Sequence, residues 1–331
     1  MKNQKLRTIL GFGCLVFTIF GWGLSFLGTK VLLIEYRPVE IIFFRYILSY
    51  VGLFLIYPKP LLFSGWKYEL LCFLAAIFGV SIYQLLENIA IERTSASNVA
   101  VIISCSSFFT AIFTTLILKS EKVGVNFFIG FVFSLIGAIL VSFNGAIHFE
   151  FNPLGDMLTL LCAILWGLYS VTVSKLNKYN KNLIQTTRRL MLYGVIQILP
   201  IFLIMGGTVK FSRFTSGNNW FWLLFLGILC GTLCFLTWNY SVKVLGPVKT
   251  SLAMYVQPIV TIVFGAIWFG EEIKLMGAIG AFVVMIGLFI STRQRKLLIV
   301  YLIDKVKEMH HQKEEDENEN SDDEEKEELQ S

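Results

Sequence analysis

The chain has 331 residues, of which 55% are hydrophobic and only 15% charged, with a mean hydropathy of +0.68. A soluble chain carries about a quarter charged residues, so this composition excludes a water-soluble globule, a disordered chain and a secreted disulfide scaffold. The net charge of +5 conceals a basic body, because 11 of the 23 acids lie between Glu314 and Glu328; residues 1–312 set 26 Lys and Arg against 12 acids, which suits loops beside anionic lipid and not a nucleic-acid partner.

In chain order, residues 1–8 carry Lys2, Lys5 and Arg7 ahead of a long apolar run. That run exceeds a signal-peptide core and shows no cleavage site, so it is expected to stay as a first transmembrane helix. A helix needs about 20 apolar residues to cross a bilayer. Ten stretches meet that need: 9–34, 39–57, 69–90, 96–118, 123–143, 154–176, 185–207, 219–242, 247–269 and 274–292. None alternates with the period of two that a barrel strand requires. The expected fold is an all-α membrane protein of ten transmembrane helices. Residues 293–311 follow as an interfacial segment, with the apolar run Leu297–Ile303 too short to cross, and 312–331 as an acidic disordered tail.

Basic residues divide unevenly between the two sets of loops. The side of the N-terminus holds 15 of them and the opposite side five: Arg37, Arg93, Lys210, Arg213 and Lys274. The positive-inside rule then places both termini in the cytoplasm, in agreement with an even number of spans.

The two halves, 9–143 and 154–292, resemble each other. A shift of 144 places Trp22-Gly23-Leu24 on Trp166-Gly167-Leu168 and Arg45 on Arg189. A shift of 151 places Asn88 on Asn239, Thr110 on Thr261 and Glu121 on Glu272, and one of 150 places Gly130 on Gly280 and Gly137 on Gly287. Five spans per half is an odd number, so the second half enters from the opposite face. That is the inverted-repeat pattern of secondary transporters.

Several blocks carry a family resemblance: Trp-Gly in spans 1 and 6, Arg in spans 2 and 7, the run Tyr83 to Asn98, and Leu245-Gly246-Pro247 through Gln257-Pro258 to Gly270-Glu271-Glu272. On these residues the chain resembles the drug/metabolite transporter superfamily, EamA type, with two tandem EamA repeats. The resemblance implies a ten-helix inverted-repeat fold and movement of small metabolites, and leaves the substrate open. One departure is Ser107, where the family often has Pro; span 4 is therefore expected to differ in shape from span 9.

Polar side chains are costly in lipid and tend to face a cavity or another helix. By depth and repeat position, the expected substrate-binding set is Trp22, Ser25, Tyr83, Ser104, Ser107, Trp166, Tyr169, Tyr255 and Gln257. The serines can instead bond their own helix carbonyls, and the tryptophans can simply pack. Pro258 lacks an N–H and frees a carbonyl near Met254, which would join the Gln257 amide as a polar contact point. The expected gate or coupling set is Lys30, Arg45, Glu87, Asn88, Arg189 and Asn239. Glu87 is expected to pair with Arg45 or Lys30, either as a static ion pair or as a gate or proton-coupling carboxylate. Arg189 either mirrors Arg45 or is a plain positive-inside charge.

The six cysteines form no CxxC pair and lie in apolar runs, so no zinc or redox site is expected, nor any other metal or cofactor. No HExxH, GxSxG or P-loop occurs, which argues against an enzyme. The reading is an exporter of small metabolites such as amino acids, working by alternating access in a bacterial inner membrane. Its partners are the substrate, the bilayer and, in the coupled form, protons; a homodimer is left open. The competing substrate class is phosphorylated sugars or nucleotide sugars, which would need cations in the cavity.

Overall fold

The computed structural model describes residues 2–119, 124–143, 152–269 and 274–292. Glu121, Glu271, Glu272, the interfacial segment and the acidic tail lie outside them. Among the described residues every regular element is helical. Eight helices are long and apolar enough to cross a membrane, and the shorter apolar helices Val125–Val141 and Leu275–Ser291 stand in the fifth and tenth places. The ten form two inverted repeats of five.

Span 1 is Lys2–Leu32 and span 2 is Pro38–Ile56. Span 1 begins before its apolar run, because the helix continues through Lys2, Lys5 and Arg7. Span 2 opens with Pro at its first helical position, where a missing N–H costs nothing. Spans 6 (Pro153–Asn177) and 7 (Leu183–Ile204) open under asparagine caps: Asn152 accepts from the Gly155 N–H at 2.9 Å, and Asn182 from those of Ile184 and Gln185 at 2.9 and 3.1 Å.

The remaining inner spans are interrupted, at matching places in the two repeats. Span 3 consists of Trp66–Gly79 and Ser81–Arg93, broken at Val80; span 8 runs from Asn219 to Leu245 with a π-helical stretch, Phe225–Cys234, at its centre. Span 4 breaks at Cys105, between Ala96–Ser104 and Ser106–Phe113, and ends in the π-turn Thr114–Leu118. Span 9 is broken by the 3₁₀ turn Leu252–Val256, between Pro247–Ser251 and Gln257–Phe269. Spans 4 and 9 were expected to differ in shape, yet both are interrupted. Serines do in span 4 what proline does in span 9: Ser104 and Ser107 hydroxyls donate to the carbonyls of Val101 and Ser104 at 2.6 and 3.0 Å, in competition with the helix ladder. Spans 8 and 9 are joined by Gly246 alone, whose φ of 86° is one that glycine adopts without strain.

Spans 5 (Val125–Phe143) and 10 (Leu275–Thr292) make the most extensive helix pair. They meet backbone to backbone. A Cβ placed on Gly137 would lie 2.5 Å from the Val284 nitrogen, and one on Gly280 would lie 2.6 Å from the Gly137 oxygen. Small residues at such a crossing let dispersion and weak polar contacts act where lipid offers no hydrophobic drive. The repeated Trp-Gly pairs follow the same logic. Gly23 admits Val260 of span 9, and Gly167 admits Phe109 of span 4.

Candidate transport cavity

At the centre, spans 1, 2, 3, 6, 8 and 9 enclose a small cleft of about 10 Å³, room for about one water molecule. Its walls are Trp22, Ser25, Phe26, Arg45, Tyr83, Gln84, Glu87, Trp166, Phe235, Met254 and Gln257. All of these side chains are buried.

The aromatic wall is built by repeat symmetry. Trp22 and Trp166 are repeat equivalents and touch edge to face, their centroids 5.0 Å apart. Trp238 packs on both, at 5.3 and 5.4 Å, and Tyr83 lies 5.0 Å from Trp166. The Trp22 indole N–H donates to the Cys230 carbonyl, in the π-helical part of span 8, at 3.3 Å.

The polar wall rests on helix spacing. Tyr83 and Gln84 lie four and three residues before Glu87, hence on its face of span 3. The Tyr83 hydroxyl donates to the Glu87 carboxylate at 2.7 Å and the Gln84 amide at 2.6 Å. Arg45 enters from span 2 and is only 2% exposed. It lies close enough to act electrostatically on Glu87, but no ion pair joins them among the described residues. Four buried polar atoms on cavity residues lack a hydrogen-bond partner there: Arg45 Nε, Gln84 Oε1, Trp166 Nε1 and Gln257 Oε1.

Of the expected binding set, the structure brings together Trp22, Ser25, Tyr83, Trp166 and Gln257. Ser104, Ser107, Tyr169 and Tyr255 are not among the cavity walls. Ser107 ties span 4 to span 9 through the Ser251 carbonyl at 2.8 Å. Tyr169 lies over Gly79 and donates to Asn239 at 2.8 Å, and Tyr255 belongs to a separate core with Phe127, Ala138 and Val284. The carbonyl of Met254 is not free, because the Gln257 N–H takes it in the 3₁₀ turn.

The expected pairing of Glu87 with Lys30 or Arg45 is also replaced. Glu87 is held by neutral donors, and the Lys30 ammonium reaches the Thr94 carbonyl at the end of span 3, at 3.3 Å, where a helix C-terminus favours a cation. Arg189 does not mirror Arg45. It sits against Glu69 at 3.0 Å, at the end of the bundle that carries Lys59. Asn88 donates to the Pro38 carbonyl at 3.3 Å and Asn239 to Thr187 at 3.1 Å, so both brace neighbouring helices. Gln84, Phe26, Phe235 and Met254 are the cavity residues outside the expected sets; of these Gln84 is the polar one, and its spacing from Glu87 marks it.

With this geometry in place, comparison with known proteins defines the class. The chain belongs to the EamA-like transporter family, which matches residues 9–143 and 153–293. It is similar to an uncharacterized transporter of Archaeoglobus fulgidus, 25% identical over 88% of this chain and 99% of that protein. The uncharacterized transporter YyaM of Bacillus subtilis is 28% identical, over 65% of this chain and 70% of its own. GDP-fucose transporter 1 of Dictyostelium discoideum is a more distant relative, 24% identical over 80% and 75%. A solved crystal structure shares the fold with a TM-score of 0.68 at 16% identity, over 87% of this chain and 96% of that one. The protein is thus a multi-pass integral membrane transporter.

Proposed function

We propose that the chain is a secondary active exporter of small zwitterionic metabolites such as amino acids, working by alternating access around the central cleft. One observation carries this reading. A buried, unpaired guanidinium and a carboxylate held only by neutral donors face the same cavity at the repeat interface. A lone buried charge is costly unless something pairs with it. A substrate carboxylate would complete Arg45, and its ammonium would take the remaining acceptor capacity of Glu87. The tryptophan faces add a cation-attracting wall.

Nucleotide sugars fit less well. Lys30 and Arg189 are engaged elsewhere, so Arg45 is the single cation on the described walls, and Glu87 stands against a diphosphate. The distant GDP-fucose relative favours them. Glu87 is also the carboxylate through which a proton gradient would act. The charge bias of the loops, with prokaryotic relatives, supports a bacterial inner membrane with both termini cytoplasmic.

The test is flux in proteoliposomes, with radiolabelled amino acids and nucleotide sugars supplied separately, with and without a pH gradient. Amino-acid flux that Arg45→Gln cuts roughly tenfold or more at low substrate concentration supports the reading. Flux of nucleotide sugars alone overturns it.

A further inference from the structure

Two polar latches join the repeats at opposite ends of the bundle. At one end, the loop after span 7 folds onto the first turn of span 2. The Glu40 carboxylate, almost fully buried, accepts from the Thr208 N–H and hydroxyl, both at 2.8 Å, and from Arg213 at 3.0 Å. Arg37 donates to the carbonyls of Met205 and Gly206 at 3.0 and 3.2 Å. At the other end, the loop after span 2 folds onto the first turns of span 7. Arg188 holds the carbonyls of Tyr57 and Lys59, and Arg189 holds that of Leu62 and pairs with Glu69 at 3.0 Å. Glu69 in turn accepts from the Ser64 N–H at 3.0 Å and the Tyr193 hydroxyl at 2.8 Å.

The two latches are equivalent in topology. In each, the loop between the second and third helices of one repeat is captured by the second helix of the other. Each contains one buried carboxylate from the first repeat paired with an arginine from the second. Their chemistry is alike as well: at each end arginines hold loop carbonyls, and a buried carboxylate accepts from a loop N–H. Midway between them, span 7 crosses the break in span 3 without a side chain of its own. A Cβ on Gly194 would lie 2.4 Å from Val80, whose carbonyl accepts from Tyr46 of span 2 at 2.7 Å.

We infer that Glu40–Arg213 and Glu69–Arg189 are the paired latches of a seesaw pivoting at Gly194 and Val80, and that releasing one while the other holds opens the cavity to that face. Both are engaged here, and every side chain on the cleft walls is buried. Both lie at helix ends, where released charges can return to water; ion pairs broken in the bilayer core would have no such refuge. The 26% exposure of the Arg213 side chain marks its latch as the more easily released. The inference goes beyond the substrate reading and rests only on the chain being an alternating-access transporter.

The test reads access without any substrate, so a failed amino-acid panel leaves it standing. A cavity cysteine, Ser25→Cys, is labelled with a membrane-impermeant maleimide in right-side-out and inside-out vesicles. Thr215→Cys and Lys59→Cys report which face each preparation exposes. The same vesicles without Ser25→Cys give the background from native thiols. Arg213→Gln is expected to raise labelling several-fold from the Thr215 face only, and Arg189→Gln from the Lys59 face only. Arg213→Lys and Arg189→Lys should restore most of the closed behaviour. Labelling that rises from both faces, or from neither, overturns the proposal and makes the latches static braces. Should a glutamine variant fail to fold, Arg37→Cys with Gly206→Cys, joined by a short cross-linker, decides the matter. The cross-link is expected to suppress labelling from the Thr215 face, and unchanged labelling there overturns the latch role.

Discussion

Trp22 and Trp166, equivalent residues of the two repeats, meet each other at 5.0 Å with their rings nearly perpendicular. Two equivalent residues can touch only where the pseudo-two-fold axis passes. The aromatic contact therefore marks the axis about which the repeats exchange roles, and it forms a wall of the cleft. Trp166→Ala is expected to destabilise the protein by about 3–5 kcal/mol, the usual cost of emptying a large buried aromatic site. Trp166→Phe, which keeps a ring against Trp22 and Trp238, should cost markedly less. Thermal unfolding in detergent measures both.

Arg45 sets the charge of the substrate in the proposed reading. Arg45→Gln removes a charged hydrogen bond worth about 1.5–3 kcal/mol, so the affinity for amino acids should fall roughly 10- to 100-fold. Decarboxylated amines of the same side chain should lose almost nothing. Competition for radiolabelled flux in proteoliposomes separates the two.

Glu87 carries the other half. In Glu87→Gln the amide keeps the size of the side chain and loses the charge. Flux driven by a pH gradient should fall to the rate seen without one, while downhill exchange of substrate persists. Unchanged gradient dependence would leave Glu87 as an ammonium-binding group and place proton coupling elsewhere.

Two glycines, one in the seam between spans 5 and 10 and one on span 1, give predictions of opposite sign. Gly137→Ala drives a methyl into the backbone of span 10 and should cost about 1–3 kcal/mol, as overpacking does. Gly13→Ala meets nothing within 4 Å and should stabilise span 1 by about 0.5–1 kcal/mol. Melting temperatures of the two variants, measured side by side, check the contrast.

The ten helices and their inverted pairing were legible because lipid leaves a chain few choices. Apolar runs of crossing length and matched Trp-Gly pairs are local signals. The polar cluster was half legible for a related reason: Tyr83, Gln84 and Glu87 fall on one helix face by spacing alone. What distance in sequence separates was hidden. Arg45 and Arg189 occupy the same repeat position, yet one faces the cavity and the other a loop, because Glu69 stands beside only the second. Glu69 itself stands at the border of an apolar run and was not singled out in the sequence. For the serines of span 4 the sequence left two readings, because depth cannot distinguish a hydroxyl aimed at a cavity from one bonded to its own helix, as Ser104 and Ser107 are here.

The seam of spans 5 and 10 also bears on how the two halves find each other. Gly130 and Gly137 face Gly287 and Gly280, so each repeat presents a strip of close backbone approach, with Ser134 and Ser291 seated against the facing glycines. A surface of that kind is self-complementary under the same two-fold rotation that relates the repeats. The halves thus carry their own means of mutual recognition. Joining them in one polypeptide fixes their one-to-one ratio and raises their local concentration, while the geometry of their union is already written on each half alone.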